Sequence, residues 1–276
     1  MIKTDTFVSL TDDIMFKHVF SRPHIMIDLL NSFFEYIGEN KKIVNIRLEK
    51  DKSMHGTNIY SKIFYGDIVA ILEDETIISV EMYKEFGQEE YNKSTSYLSR
   101  LYGNQLKKGQ KFIESKKVIS INFMSGNYHK VNNALVNDYG FVRKISRTIE
   151  NDECMIMYLV RLDLSDKVLY NNINKRLIRW LKLMKSKSME EMKEIGKGDK
   201  TMEDVIKYVD WFLKEEGTTF QDKIEYEKAK SEAKGREEGI DMERKETAKN
   251  MLQDGISIKA IMKYTGLSET DISNLK

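Results

Sequence analysis

Residues 11–34 open with a polar cap, Thr11-Asp12-Asp13. Ile14, Met15, Phe16, Val19 and Phe20 follow, then Ile27, Leu29, Leu30, Phe33 and Phe34. Apolar positions three and four apart after a capping residue predict helix, and Pro23 breaks it into two. The period then changes to two. Residues 43–49 alternate apolar and polar, 59–72 form a longer β-rich run, and 76–86 form another, with the polar Glu73-Asp74-Glu75 between the last two. This pattern predicts three strands, the last two forming a hairpin. Residues 91–109 return to helical spacing through Tyr97, Leu101 and Leu106 and reach Gly109, a residue suited to a helix C-cap; VISINFM at 118–124 predicts a buried strand. One more strand is expected at 156–163 and helices at 172–214. The order helix, three strands, helix, strand describes an α/β core with a helical C-terminal extension.

From about residue 220 the chain becomes highly charged (QDKIEYEKAKSEAKGREEGIDMERKETAKN), as a solvated helix or helical linker would be. After it, Ile258, Ile261 and Met262 lead to a Tyr-Thr-Gly-Leu break, and Ser268 caps 269–275, giving two short helices about a glycine turn. The expected organisation is a core at 1–165, a helical extension at 166–219, a charged helical linker at 220–254 and a small helix-turn-helix-like tail at 255–276.

Composition narrows the chemistry. A chain of 276 residues with 41% hydrophobic positions can bury a proper core. The single cysteine, Cys154, excludes an internal disulfide and a thiolate zinc cluster, and fits a reducing cytoplasm. No uncharged stretch of membrane-spanning length occurs, so no membrane partner is expected. Lys+Arg 45 against Asp+Glu 44 leaves a net charge of +1, so any nucleic-acid contact must come from a local basic patch.

Two acids interrupt the apolar runs of the hairpin, Asp67 in Tyr65-Gly66-Asp67-Ile68-Val69 and Glu81 in Val80-Glu81-Met82-Tyr83-Lys84. If the turn is the three-residue loop 73–75, Leu72 pairs with Thr76, and continuing that register sets Asp67 opposite Glu81 on one sheet face. Facing carboxylates repel unless neutralised, and an oxygen-liganded Mg²⁺ or Mn²⁺ would do so. A one-residue slip would send the two acids to opposite faces. The competing reading makes Asp67 the end of an edge strand and Glu81 ordinary surface. On the next helix, Lys93, Tyr97, Arg100 and Asn104 recur at helical spacing, either as a phosphate-binding face or as a solvated face with Tyr97 tucked into the sheet. The lysines of NQLKKGQK at 104–111 either complement the helix dipole or meet DNA.

Four segments, in order, resemble the PD-(D/E)XK nuclease superfamily in its transposase-associated, recombination-promoting nuclease (Rpn) form. They are Asp13-x-x-Phe16-Lys17-x-x-Phe20; Gly66-Asp67 with Val80-Glu81-Met82; Tyr97-Leu98-Ser99-Arg100-Leu101-Tyr102; and the tail, with Lys234-Gly235-Arg236-Glu237-Glu238-Gly239 and the pair from Gly255-Ile256-Ser257 to Leu267-Ser268. The resemblance implies a restriction-endonuclease-like core and a DNA endonuclease of low sequence specificity, acting on recombining or mobile-element DNA. It implies that Asp67 and Glu81 ligate Mg²⁺ or Mn²⁺ with help from a strand carbonyl. Asp13 would add a water-mediated metal contact or simply cap its helix, and Lys17, Lys93, Tyr97 and Arg100 would bind DNA. Lys93 stands where the family usually has arginine. The departure is Tyr83, on the face of Glu81, where the superfamily has lysine and this branch commonly has glutamine. A neutral phenol there points to weakened or lost catalysis and to a DNA-binding or protein-interaction relative as the alternative. Lys84 could replace the missing catalytic lysine only if a β-bulge re-aimed it. The tail offers a surface for homo-oligomerisation.

Overall fold

The computed structural model describes residues 7–39, 41–50, 53–54, 64–65, 67–126, 133–141, 154–167, 175–214 and 243–275. Gly66, the start of the 59–72 run and the tail motif at 234–239 lie outside them. Two compact units divide the chain, residues 1–217 and 218–276.

The first unit begins with α1 (Asp13–Phe20) and α2 (Pro23–Tyr36). Asp12 is the N-cap of α1, accepting from the Ile14 amide at 3.2 Å, and Pro23 occupies the first turn of α2, where its missing N–H leaves no bond unmade. Strands β1 (Ile46–Lys50), β4 (Ile68–Leu72), β5 (Ile77–Tyr83), β6 (Val118–Met124), β7 (Val136–Tyr139) and β8 (Met155–Arg161) form one sheet in the order β1-β4-β5-β6-β8-β7, while β2 (Ser53–Met54) and β3 (Phe64–Tyr65) pair separately. The β1–β4, β4–β5 and β7–β8 pairings are antiparallel, and β5–β6 and β6–β8 are parallel. Helix α3 (Gln88–Gly103) provides the crossover between β5 and β6. This is the expected α/β core of helix, three strands, helix and strand. Three details differ. Of the 59–72 run, the described residues give β3 at 64–65 in the small sheet, a bend at Asp67, and β4 in the main sheet. Helix α3 stops at Gly103 rather than Gly109, whose φ of +94° serves a turn in the following loop. Strand β7 was not anticipated: VNDY carries two polar residues in four, too little pattern to mark a strand.

Each sheet face is covered by different helices. On one, Tyr97, Leu98 and Leu101 of α3 pack on Tyr83, Val118, Met124, Met157 and Leu159. On the other, Phe33 of α2 meets Tyr158 edge-on, and Phe20 of α1 tilts against the fully buried Trp180 of α4 (Lys175–Met184). Next come α5 (Met189–Gly196) and a helical stretch at 200–214. Arg176 ties these pieces together. It donates to both oxygens of Asp28 on α2 and, at 2.6 Å, to Asp199, while Trp180 Nε1 also donates to Asp28 at 2.9 Å.

In the second unit, a helix at 243–253 supplies Ala248, Met251 and Leu252 to a small core completed by Ile261, Leu267, Ile272 and Leu275. The other two helices, Ile258–Thr265 and Glu269–Ser273, flank Gly266, which ends the former in the left-handed conformation at φ +71°.

Replacing Arg176 by Met should lower stability by about 1–2 kcal/mol, because Asp28 loses its ion-pair partner and Asp199 is left with Arg179 at 3.6 Å. Burial pushes the Asp199 carboxyl up, but the hydrogen bonds from Arg176 and the Met202 amide, with the charges of Arg176 and Arg179, together outweigh it and hold the group below its ordinary range. Its stabilising contribution is therefore present above the unfolded-state value and lost on acidification. Urea unfolding should show the gap between variant and parent narrowing below about pH 4.

Candidate metal and nucleic-acid site

The hairpin β4–β5 is closed by Glu73-Asp74-Glu75. The Glu75 amide donates to Leu72 O at 3.0 Å, the Leu72 amide to Thr76 O at 3.0 Å, and Asp74 Oδ1 accepts from the Thr76 amide at 3.1 Å. Glu75 takes the left-handed conformation at φ 65°, the geometry a three-residue hairpin loop requires. The pairs Ile68↔Val80, Val69↔Ser79, Ala70↔Ile78 and Ile71↔Ile77 follow, and one step further Asp67 faces Glu81. The register inferred from the loop is the observed one.

Main-chain bonds lock the two acids together. The Asp67 amide donates to Glu81 Oε1 at 3.1 Å, and the Met82 amide donates to Asp67 Oδ2 at 3.1 Å. Glu81 is 3% exposed. Lys17 of α1 lies 3.3 Å from Asp67 Oδ1 and 3.2 Å from Asp13 Oδ2, placing an ammonium group between α1 and the hairpin. Burial, reinforced by Asp13, moves the Asp67 carboxyl up to about 6 although Lys17 and Lys93 pull it down. Burial and the adjacent Asp67 raise Glu81 well above the usual carboxylate range. Two buried acids that resist ionising together form a site in which a cation would favour their charged forms.

Among the described residues no group of three or more His, Cys, Asp and Glu side chains is arranged to hold a metal ion. The oxygen donors of Asp67 and Glu81 nevertheless fit Mg²⁺ or Mn²⁺. Such hard ions are commonly held by one or two carboxylates, with water and substrate phosphate completing the shell.

Tyr83 points to the Glu81 face, as alternation requires, and its hydroxyl meets Ser94 Oγ of α3 at 3.0 Å. Ser94 in turn donates to Asn122 Oδ1 of β6 at 3.0 Å. The phenol thus braces α3 on the sheet, and burial with the nearby Glu81 charge raises its pKa well above the ordinary value, so it stays neutral. Lys93 Nζ lies 5.5 Å from the centroid of the Tyr83 ring, and its charge reaches both acids. Lys84 goes elsewhere, to Asp12 Oδ2 at 3.0 Å. Tyr97 is 3% exposed and packs beneath α3, whereas Lys93 is exposed and Arg100 half-buried on that helix. The Ser94–Asn122 brace was not read from the sequence. Neither residue belongs to a recognisable motif, and three elements must assemble before they meet.

A family model described as PD-(D/E)XK nuclease family transposase matches residues 10–236. The chain belongs to this PD-(D/E)XK family. The model for the C-terminal HTH domain of the Rpn/YhgA-like nuclease family matches residues 243–276, which span the three helices among the described residues of the second unit. No curated protein and no solved structure matches the chain. Among the described residues no helix is long and apolar enough to cross a membrane.

The raised Asp67 carboxyl has a thermodynamic signature in this PD-(D/E)XK chain. A carboxyl titrating near 6 rather than 3.8 binds more protons folded than unfolded between those values, so it lowers stability as pH rises, by up to about 3 kcal/mol. Asp67→Asn, measured by thermal unfolding in EDTA, should therefore be more stable than the parent at pH 7.5, with the difference vanishing near pH 4. Saturating Mg²⁺ should reverse the order by stabilising the parent alone.

Proposed function

We propose that this chain is a Mg²⁺- or Mn²⁺-dependent endonuclease that hydrolyses DNA phosphodiester bonds with low sequence specificity, on recombining or mobile-element DNA. The observation that carries the reading is the buried, main-chain-locked opposition of Asp67 and Glu81.

In this reading Asp67 and Glu81 hold the metal through carboxylate oxygens, with Asp13 reaching it through water. Bound there, the ion supplies Lewis acidity toward the phosphate and a water of lowered pKa. The residues of the chain do the rest. Lys17 orients Asp67 by an ion pair at 3.3 Å. Tyr83, neutral and held by Ser94, fixes the distance between the Glu81 strand and α3. Lys93 presents the ammonium group that the Tyr83 position lacks, approaching from the helix rather than from the strand, where it can meet the charge that builds on the phosphate. Arg100, two turns further along α3, binds a neighbouring phosphate. Phosphate contacts of this kind position a duplex without reading its bases, which supports low specificity. The HTH domain supports DNA as the partner.

A second reading also has an observation behind it. Tyr83 is committed to a structural brace, and such a brace would survive in a relative that binds DNA without cutting it.

Supercoiled plasmid incubated with the protein and Mg²⁺ or Mn²⁺ should be nicked, and EDTA, Asp67→Ala or Glu81→Ala should abolish nicking. Lys93→Gln should slow cleavage by about 100-fold while metal affinity, measured by calorimetry, stays unchanged. No nicking by the intact chain, with DNA still retarded on a gel, selects the non-cutting relative.

A further inference from the structure

Between α3 and β6 lies a basic loop, residues 104–117, that the proposed site does not use. It carries Lys107, Lys108, Lys111, Lys116 and Lys117 against a single acid, Glu114. At its tip, in a short 3-10 turn, Phe112 is 90% exposed and Ile113 89% exposed. Two adjacent large apolar side chains so fully in water leave apolar surface that burial against a partner would remove from water.

The loop is built to hold them there. Gln105 clamps Lys116 in both directions, Nε2 donating to Lys116 O at 2.9 Å and Oε1 accepting from the Lys116 amide at 2.7 Å. Gln110 Oε1 accepts from the Lys107 amide at 2.7 Å, and Glu114 Oε1 accepts from the Lys111 amide at 2.9 Å. Gly109, at φ +94°, makes the turn between them. Among the described residues only Lys116 of the five lysines is in a salt bridge, 2.8 Å from Glu75. Lys107, Lys108 and Lys111 are exposed beside the apolar tip.

An apolar pair raised on an ordered turn and ringed by lysines matches a surface of dense negative charge with an apolar interior. Double-stranded DNA has both, in its phosphates and its base stack, and wedging apolar side chains between base steps is an established mode of binding. Placement within the fold also favours this partner. Helix α3 starts beside Tyr83 and runs its 16 residues, about 24 Å, to the loop, so Lys93 and Arg100 lead from the acids toward Lys107. That distance is about seven base pairs.

We propose that loop 104–117 is a second DNA contact, in which Lys107, Lys108 and Lys111 hold phosphates while Phe112 and Ile113 wedge against the base stack. The proposal rests on the reading of the chain as a DNA-acting protein, but not on its ability to cut.

The test uses the full chain and a fluorescein-labelled 30-base-pair duplex in Ca²⁺, followed by anisotropy. The paired substitution Phe112→Ala and Ile113→Ala should weaken binding by about tenfold, as loss of base contacts does. Replacing Lys107, Lys108 and Lys111 by Gln should lower the slope of log affinity against log salt by about 2–3. Because these side chains are exposed, the thermal midpoint should not move. In a separate variant, Phe112→Trp, the added fluorescence should be quenched by duplex. Unchanged affinity, salt slope and fluorescence would overturn the proposal. So would binding to phosphatidylserine vesicles that depends on Phe112 and Ile113 while duplex affinity does not. Plasmid nicking by the same variants separates the readings: loop-dependent duplex binding by a chain that cuts nothing keeps this proposal and removes the nuclease.

Discussion

Everything proposed for the site depends on the three-residue loop that closes the β4–β5 hairpin. Glu75 accepts an unfavourable backbone conformation, and Asp74 steadies it through the Thr76 amide. That turn sets which residues face each other five positions beyond Leu72 and Thr76, and so it brings two carboxylates to one point. Their mutual repulsion, sharpened by burial, is offset by main-chain donors and by Lys17. The negative charge that makes the site useful is thus imposed by backbone geometry. Side-chain chemistry then acts on a pair already fixed.

The second organising relation is the brace from β5 through α3 to β6. Tyr83, Ser94 and Asn122 form one chain of bonds within a mostly apolar layer, and removing Ser94, its middle member, would take a partner from both the Tyr83 hydroxyl and Asn122 Oδ1. The brace fixes the height of α3 above the strand that carries Glu81. A residue that looks like a defect at a motif position is, in the folded chain, the support of the helix from which Lys93 projects. The departure at Tyr83 and the placement of Lys93 are best understood together.

How much of this was legible in the sequence follows from the range of each interaction. The hairpin register was readable because a short loop and strict alternation are local rules, and the same alternation sends Lys84 away from Glu81, to Asp12. The fold order was readable from apolar periods. Strand β7 was not, because an edge strand such as Val136–Tyr139 needs only one paired neighbour and shows little apolar pattern. The end of α3 was misplaced because Gly109 is equally suited to a cap and to the turn it makes. Tyr97 recurs at the same spacing as Lys93 and Arg100, yet the packing of the whole layer turns it inward. The exposure of Phe112 and Ile113 also had no local sign, since apolar residues are ordinarily assumed to find cover.

The hairpin loop also bears on how such a chain can change over generations. Substitutions in Glu73-Asp74-Glu75 alter turn strain by small amounts and leave the pairing intact. Gaining or losing one codon there, if passed on to the pairing rather than absorbed by the loop, would turn every side chain of one strand to the opposite face and part Asp67 from Glu81. Drift in this region is therefore held more tightly in length than in composition.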